Sequence, residues 1–234
     1  MNLDIPFIGV ALQAMVKVIP LTILMTILPI IFGLLIAIVI SFIQIRHIKF
    51  MEPLSHFYTS FFRSTPAILH IMLIYLGLPA LIKLVADLMY ISVDPNKIPV
   101  VVFVIMALSL TAGAYLTEII RSGIISVDHG QIEAAYSTGM THKEVFQRIL
   151  LPQAIDIAFP NFTNLLIGFL HTTSIASIIA VPEITGTANI VAADNYSFLE
   201  AFIAAGIIYW ILSLIIEYIQ SIAEKRRSVY KEEF

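Results

Sequence analysis

An all-α membrane protein with five transmembrane helices is the fold this sequence predicts, and three observations carry it. The 234 residues are 59% hydrophobic and 12% charged, with a mean hydropathy of +0.94; soluble domains run at about 45–50% apolar and about 25% charged. Apolar runs of about 20 residues, the length that crosses a hydrocarbon core, occur near 18–45, 57–82, 98–120, 154–181 and 198–222. A helix satisfies its own backbone in lipid, so these runs read as helices. The basic residues are also unevenly placed. Arg46, Lys49, Arg63, Arg121, Lys143, Arg148, Lys225, Arg226, Arg227 and Lys231 fall on one side of a five-span layout, and only Lys17, Lys83 and Lys97 on the other. That bias predicts an outside N-terminus and a cytoplasmic C-terminus by the positive-inside rule.

Taken in order, residues 5–19 are apolar but short, with Pro6 just inside, and read as a helix in the outer interface rather than a sixth span. The first seventeen residues carry only Lys17 as a basic group, so no signal-peptide n-region is present and the N-terminus is expected to be retained. In the first span Pro20, Pro29 and Gly33 bend or loosen the helix unless neighbours take up the freed carbonyls. The outer segments 83–99 and 185–196 are polar enough to meet a second protein, or are simply solvated. Without internal repeat or soluble linker, 1–234 is expected to be one domain.

Several chemistries are excluded. With no cysteine there is no disulfide, thiolate metal site or cysteine nucleophile. A net charge of −3 with scattered basic residues does not suit a nucleic-acid partner. The six histidines show no metal-ligand spacing and no serine sits in a Gly-x-Ser-x-Gly elbow. None of the ten glycines opens a phosphate-cradling Gly-x4-Gly-Lys-Ser/Thr loop, so no catalytic residue, metal or cofactor is assigned to this chain.

The most distinctive segment is the polar island 133–152 between the third and fourth spans. Asp128 and Gln131 can cap a first short helix bearing Glu133, Ala134 and Ala135, and Gly139 can end it in the left-handed conformation. Thr141 and Glu144 have capping-box spacing for a second helix with Val145, Phe146, Ile149 and Leu150 on its apolar face. Pro152 is then expected to begin the next span. Two short helices joined at a glycine over about 131–150 would make a rigid lever; the plainer reading is an ordinary helical loop.

The string Glu133-Ala134-Ala135, three residues, Gly139, nine residues, then Ile149-Leu150-Leu151-Pro152 resembles the coupling-loop signature of permease subunits of bacterial ATP-binding-cassette importers. The segments 61–66 (Phe-Phe-Arg-Ser-Thr-Pro), 115–124 (Tyr-Leu-Thr-Glu-Ile-Ile-Arg-Ser-Gly-Ile), Thr173-Ser174 and 181–184 (Val-Pro-Glu-Ile) resemble the polar amino-acid group of those permeases. The resemblance runs from about residue 18 to 222. It implies a five-span type I importer fold in the bacterial plasma membrane. It also implies ATPase docking through Glu133, Ala134, Ala135, Gly139 and Thr141, with ATP and magnesium held by the partner ATPases. An extracytoplasmic amino-acid-binding protein and a second permease subunit, identical or closely homologous, complete the implied assembly, which would work by alternating access. Two other readings stay open: a scaffold or sensor that docks an ATPase without transporting, and an ion-coupled carrier titrating Glu118 or His171.

Polar residues inside the spans are the candidate pathway. Thr111, Tyr115, Glu118 and Ser122 recur at helical spacing in span three; Asn161, Asn164, Gly168 and His171, followed by Thr172, do so in span four. Interhelical hydrogen bonding is the alternative for Thr111, Asn161 and Asn164, and a carboxylate beside Arg121 needs no special role at Glu118. His70 faces the cavity or is packed in the core. Glu183 is expected on the outer side, at a gate or a receptor contact. Related permeases usually carry Lys-Asp where this chain has His171-Thr172, and glutamine at His70. The neutral His171-Thr172 pair leans the substrate toward a zwitterion such as cystine or another sulfur amino acid, rather than arginine.

Overall fold

The computed structural model describes residues 3–232, with side chains described through Lys225. The tail cations Arg226, Arg227 and Lys231 lie outside the described side chains. In chain order the elements are α1 (Ile5–Val16), α2 (Ile19–Ile45), α3 (Glu52–Ser64), α4 (Ala67–Leu88), a 3-10 turn (Pro95–Lys97), α5 (Val100–Ile125), α6 (His129–Ser137), α7 (His142–Glu144), a π-helical turn (Val145–Leu150), α8 (Leu151–Thr172), a 3-10 stretch (Thr173–Ile179), α9 (Ile184–Ala193) and α10 (Phe198–Glu232). No strand occurs among the described residues. Five helical stretches are long and apolar enough to cross a membrane: Ile19–Ile45, Ala67–Leu88, Val100–Ile125, His142–Ile179 and Phe198–Lys225.

Two of the expected spans are drawn differently by the structure. The run expected at 57–82 is split, because Pro66 drives Thr65 into extended backbone (φ −112°, ψ 146°) and separates α3 from α4. The fourth span begins twelve residues before the expected start, since the helix opened at Thr141 does not stop at Pro152. Proline cannot donate to the carbonyl of Arg148 and its ring crowds that carbonyl. A wider π turn over Val145–Leu150 directly precedes it, which relieves the crowding without ending the helix.

Contacts group the chain into two units. In the first, residues up to 29, 67–108 and from 166 onward, α1 packs on α9 and α10. The contact is built largely of small side chains, among them Ala11, Ala188, Ala192, Ala201 and Ala204, all without solvent exposure. At 12 residues, α1 extends only about 18 Å and does not reach across a core of about 30 Å. Asp4 caps it by accepting the Phe7 N–H at 3.1 Å, and the Asp4 N–H donates to Glu200 at 3.1 Å.

In the second unit, 30–66 and 109–165, small residues at steps of four line both α2 and α5. Gly33, Ala37 and Ser41 form one ridge; Ser109, Gly113 and Thr117 form the other. Such ridges bring helix backbones close where no water-driven burial is available. A β-carbon on Gly33 would stand 2.6 Å from the Ala112 β-carbon, and the Ser41 hydroxyl donates to the Thr117 carbonyl at 3.2 Å.

Candidate functional site

The polar island folds as the capping residues require. Asp128 accepts the Gly130 N–H at 2.9 Å and opens α6. The helix closes in a Schellman arrangement: the Gly139 N–H donates to the Tyr136 carbonyl at 3.0 Å, and the Met140 N–H to the Ala135 carbonyl at 3.2 Å. Gly139 sits at φ +86°, where a residue with a β-carbon is disfavoured by about 1–2 kcal/mol. Thr141 and Glu144 form the reciprocal box, with the Thr141 N–H donating to the Glu144 carboxylate at 2.9 Å and the Glu144 N–H donating to the Thr141 hydroxyl at 3.4 Å.

Two further contacts stiffen this pair of helices. The Tyr136 hydroxyl lies 2.8 Å from His142 Nδ1, with the two rings edge to face at 5.1 Å, so the side chains clasp across the Gly139 turn. Gln153 Nε2 donates to Gln131 Oε1 at 2.6 Å and ties α6 to the start of α8. Glu133, Ala134, Gly139 and Thr141 are exposed on the resulting knob. Ala135 differs: at 7% exposure it turns inward, so only Ala134 offers the small surface expected of both alanines. Phe146, grouped by spacing with the packed residues, is exposed as well, beside a fully packed Val145. Its position about 100° round the helix from Val145 is the signal that distinguishes it.

Along α8, Asn161, Asn164, Gly168 and His171 follow one another at steps of three, four and three, and all four are exposed. Polar side chains on the open face of an apolar span face a wet cavity or another protein rather than acyl chains. His171 is held in one orientation. Its Nε2 lies 2.9 Å from the Ser213 hydroxyl, which itself donates to the Tyr209 carbonyl at 2.9 Å. With the single hydroxyl proton committed, the Ser213 oxygen is placed to accept from Nε2–H. The Thr172 hydroxyl donates back to the Gly168 carbonyl at 2.7 Å.

On α5 the expected stripe divides. Thr111 is buried, Tyr115 is exposed, and Glu118 is held by two guanidinium groups: Arg63 at 3.3 Å from Oε2, and Arg121 on Oε1. Glu118 therefore ties α3 to α5. His70 is buried, at 2% exposure. Glu183 has no solvent exposure, because it caps α9 by accepting the Gly186 N–H at 2.7 Å and is bonded by the Tyr209 hydroxyl at 2.7 Å. Local spacing carried no sign of it, since Tyr209 lies 26 residues away.

Residues 29–229 match the family of the binding-protein-dependent transport system inner membrane component. The chain belongs to that family. Among permeases of known assignment, the L-cystine transport system permease protein TcyL of Bacillus subtilis (strain 168) is 34% identical over 223 residues, covering 95% of this chain and 91% of that one. The arginine transport system permease protein ArtQ of the same organism is 34% identical over 233 residues, covering 97% and 98%. The crystal structure of an amino acid ABC transporter with histidines superposes with a TM-score of 0.82 at 29% identity, covering 97% of this permease and 100% of that chain.

The permease thus has the type I importer fold its coupling-loop resemblance implies, in a multi-pass inner-membrane protein. It is a transport subunit of an ATP-binding-cassette system and not an enzyme. Family members work with ATPase subunits, and the island is the segment that the resemblance assigns to that contact.

Proposed function

We propose that this chain is the membrane permease of an importer for a sulfur-containing zwitterionic amino acid such as cystine, driven by separate ATPases that dock on α6 and α7. The observation that carries the docking is the exposed, doubly capped knob bearing Glu133, Ala134, Gly139 and Thr141. The excess of basic residues on its side of the chain supports a cytoplasmic position, with the N-terminus outside. The open polar face of α8, with Asn161, Asn164 and His171, supports a second permease subunit that together with this one encloses a path; Tyr115 and Thr172 complete the proposed set. A substrate-delivering binding protein on the outer side fits the family. ATP acts in such a cycle only through its different affinity for the two states.

Sequence identity does not choose the cargo, being 34% to both a cystine and an arginine permease. The choice rests on His171 and Thr172, which place no fixed charge where a cationic side chain would need a counter-ion. Uptake of labelled cystine and arginine into vesicles holding the reconstituted importer tests it. Cystine uptake that vanishes with a hydrolysis-dead ATPase is the expected result. Arginine uptake exceeding cystine would reject the cargo, and uptake persisting without hydrolysis would reject the importer. In the same assay His171→Leu removes the imidazole and leaves Ser213 without its donor, so uptake should fall by about ten-fold or more while assembly is preserved. Unchanged kinetics would return His171 to packing.

A further inference from the structure

Helix α3 is built inside out for a protein surrounded by water. Its polar Ser55 and Thr59 are buried, Thr59 against Gln44, whereas Phe50 just before it and Leu54, Phe57 and Phe61 along it point outward. These four residues are spaced four, three and four apart and so form one ridge; Phe50 is 93% exposed, and Leu54 and Phe57 are each 68% exposed. A chain link places the ridge at the membrane boundary, because α3 joins the end of spanning α2 to the start of spanning α4. The exposed side of α2 itself is apolar through Ile31, Leu35, Ile38 and Phe42.

Two cations lie in the short link between α2 and this ridge. Arg46 and Lys49 are exposed, and neither has an ion-pair partner among the described residues. The Arg46 guanidinium stands 5.8 Å from the centre of the exposed Phe42 ring of α2. The nearby carboxylate in sequence, Glu52, is taken by His47 at 2.9 Å with His56 at 3.7 Å, and the His47 bond holds its carboxyl below the usual range. It does not neutralise the pair.

We propose that this face binds anionic phospholipid, with acyl chains lying on Phe50, Leu54, Phe57 and Phe61 and the headgroup phosphate held by Arg46 and Lys49. An amphipathic element with its apolar face in the acyl boundary and basic side chains at the headgroups is the arrangement by which proteins hold the bilayer interface. The outward apolar ridge lies on a helix joined at both ends to spanning helices, and the cations have no ion-pair partner among the described residues; together they favour lipid over a second copy of the chain.

Tryptophan quenching by brominated lipid tests this without requiring transport. Trp210 is the one native tryptophan, so the full chain carrying Trp210→Phe and Phe57→Trp reports a single position. In vesicles of mixed phosphatidylcholine and phosphatidylglycerol, bromination of either lipid should quench it, with phosphatidylglycerol acting beyond its mole fraction. Adding Arg46→Gln and Lys49→Gln should reduce that anionic preference by about five-fold for each charge removed while phosphatidylcholine still quenches. Absence of quenching would mean that protein, such as a second copy, covers the ridge, and quenching in strict proportion to lipid composition would remove the headgroup site. Either result overturns the proposal. Leu54→Trp in the Trp210→Phe background gives the same readout if the first variant does not fold.

Discussion

Glu133→Lys should abolish amino-acid uptake while the permease still folds and inserts. Glu133 is exposed near the middle of α6 and has no ion-pair partner among the described residues, so its removal leaves the subunit's own contacts intact. Only its backbone carbonyl is engaged, by the Ser137 hydroxyl at 2.9 Å. Its proposed partner is a basic or helix-terminal group of the ATPase. Reversing a charge at a desolvated contact of that kind costs about 2–5 kcal/mol, or about thirty-fold or more in affinity. Gly139→Val should give the same loss by another route. A β-branched residue at φ +86° is strained, and relief of that strain swings α6 away from α7 and breaks the Tyr136–His142 clasp. Copurification of the ATPase with each variant, together with uptake in vesicles, checks both. If ATPase binding and uptake survive either substitution, the island is an ordinary loop.

What could be read in advance follows from the range of the interaction concerned. The five apolar runs, the Asp128 cap, the Gly139 turn and the Thr141–Glu144 box are local, each fixed by residues within a few positions, and each is present in the structure. The open stripe through Asn161, Asn164 and His171 was legible for a related reason, since one helix period orders it. Burial depends instead on partners distant in sequence. Glu183 is enclosed by Tyr209, and Glu118 is captured by Arg63, so neither partnership had a local signature. Proline misled in two opposite ways. Pro66 breaks a run that composition joined, whereas Pro152, expected to begin a span, is carried inside a continuous helical stretch.

Gly33 illustrates the same limit and sets the largest expected effect on folding. In sequence it reads as a residue that loosens the first span; in the structure it is a point where α2 and α5 approach closely. A β-carbon at this position would lie 2.6 Å from the Ala112 β-carbon and 2.8 Å from the Gly113 backbone nitrogen, and a backbone atom cannot rotate aside as a side-chain end can. Gly33→Leu must therefore part the two helices, which also stretches the Ser41 bond to the Thr117 carbonyl two positions further along the α2 ridge. Overpacking of this kind costs about 1–3 kcal/mol or more, a fall of about 2–12 °C in melting temperature for a chain of this size. Gly77→Leu is the matched control, because Gly77 lies in spanning α4 with nothing within 4 Å of its would-be β-carbon. Thermal unfolding of both variants in detergent should separate them, Gly77→Leu melting near the parent and Gly33→Leu well below it. Equal melting temperatures would mean that the α2–α5 ridge does not hold the second unit together.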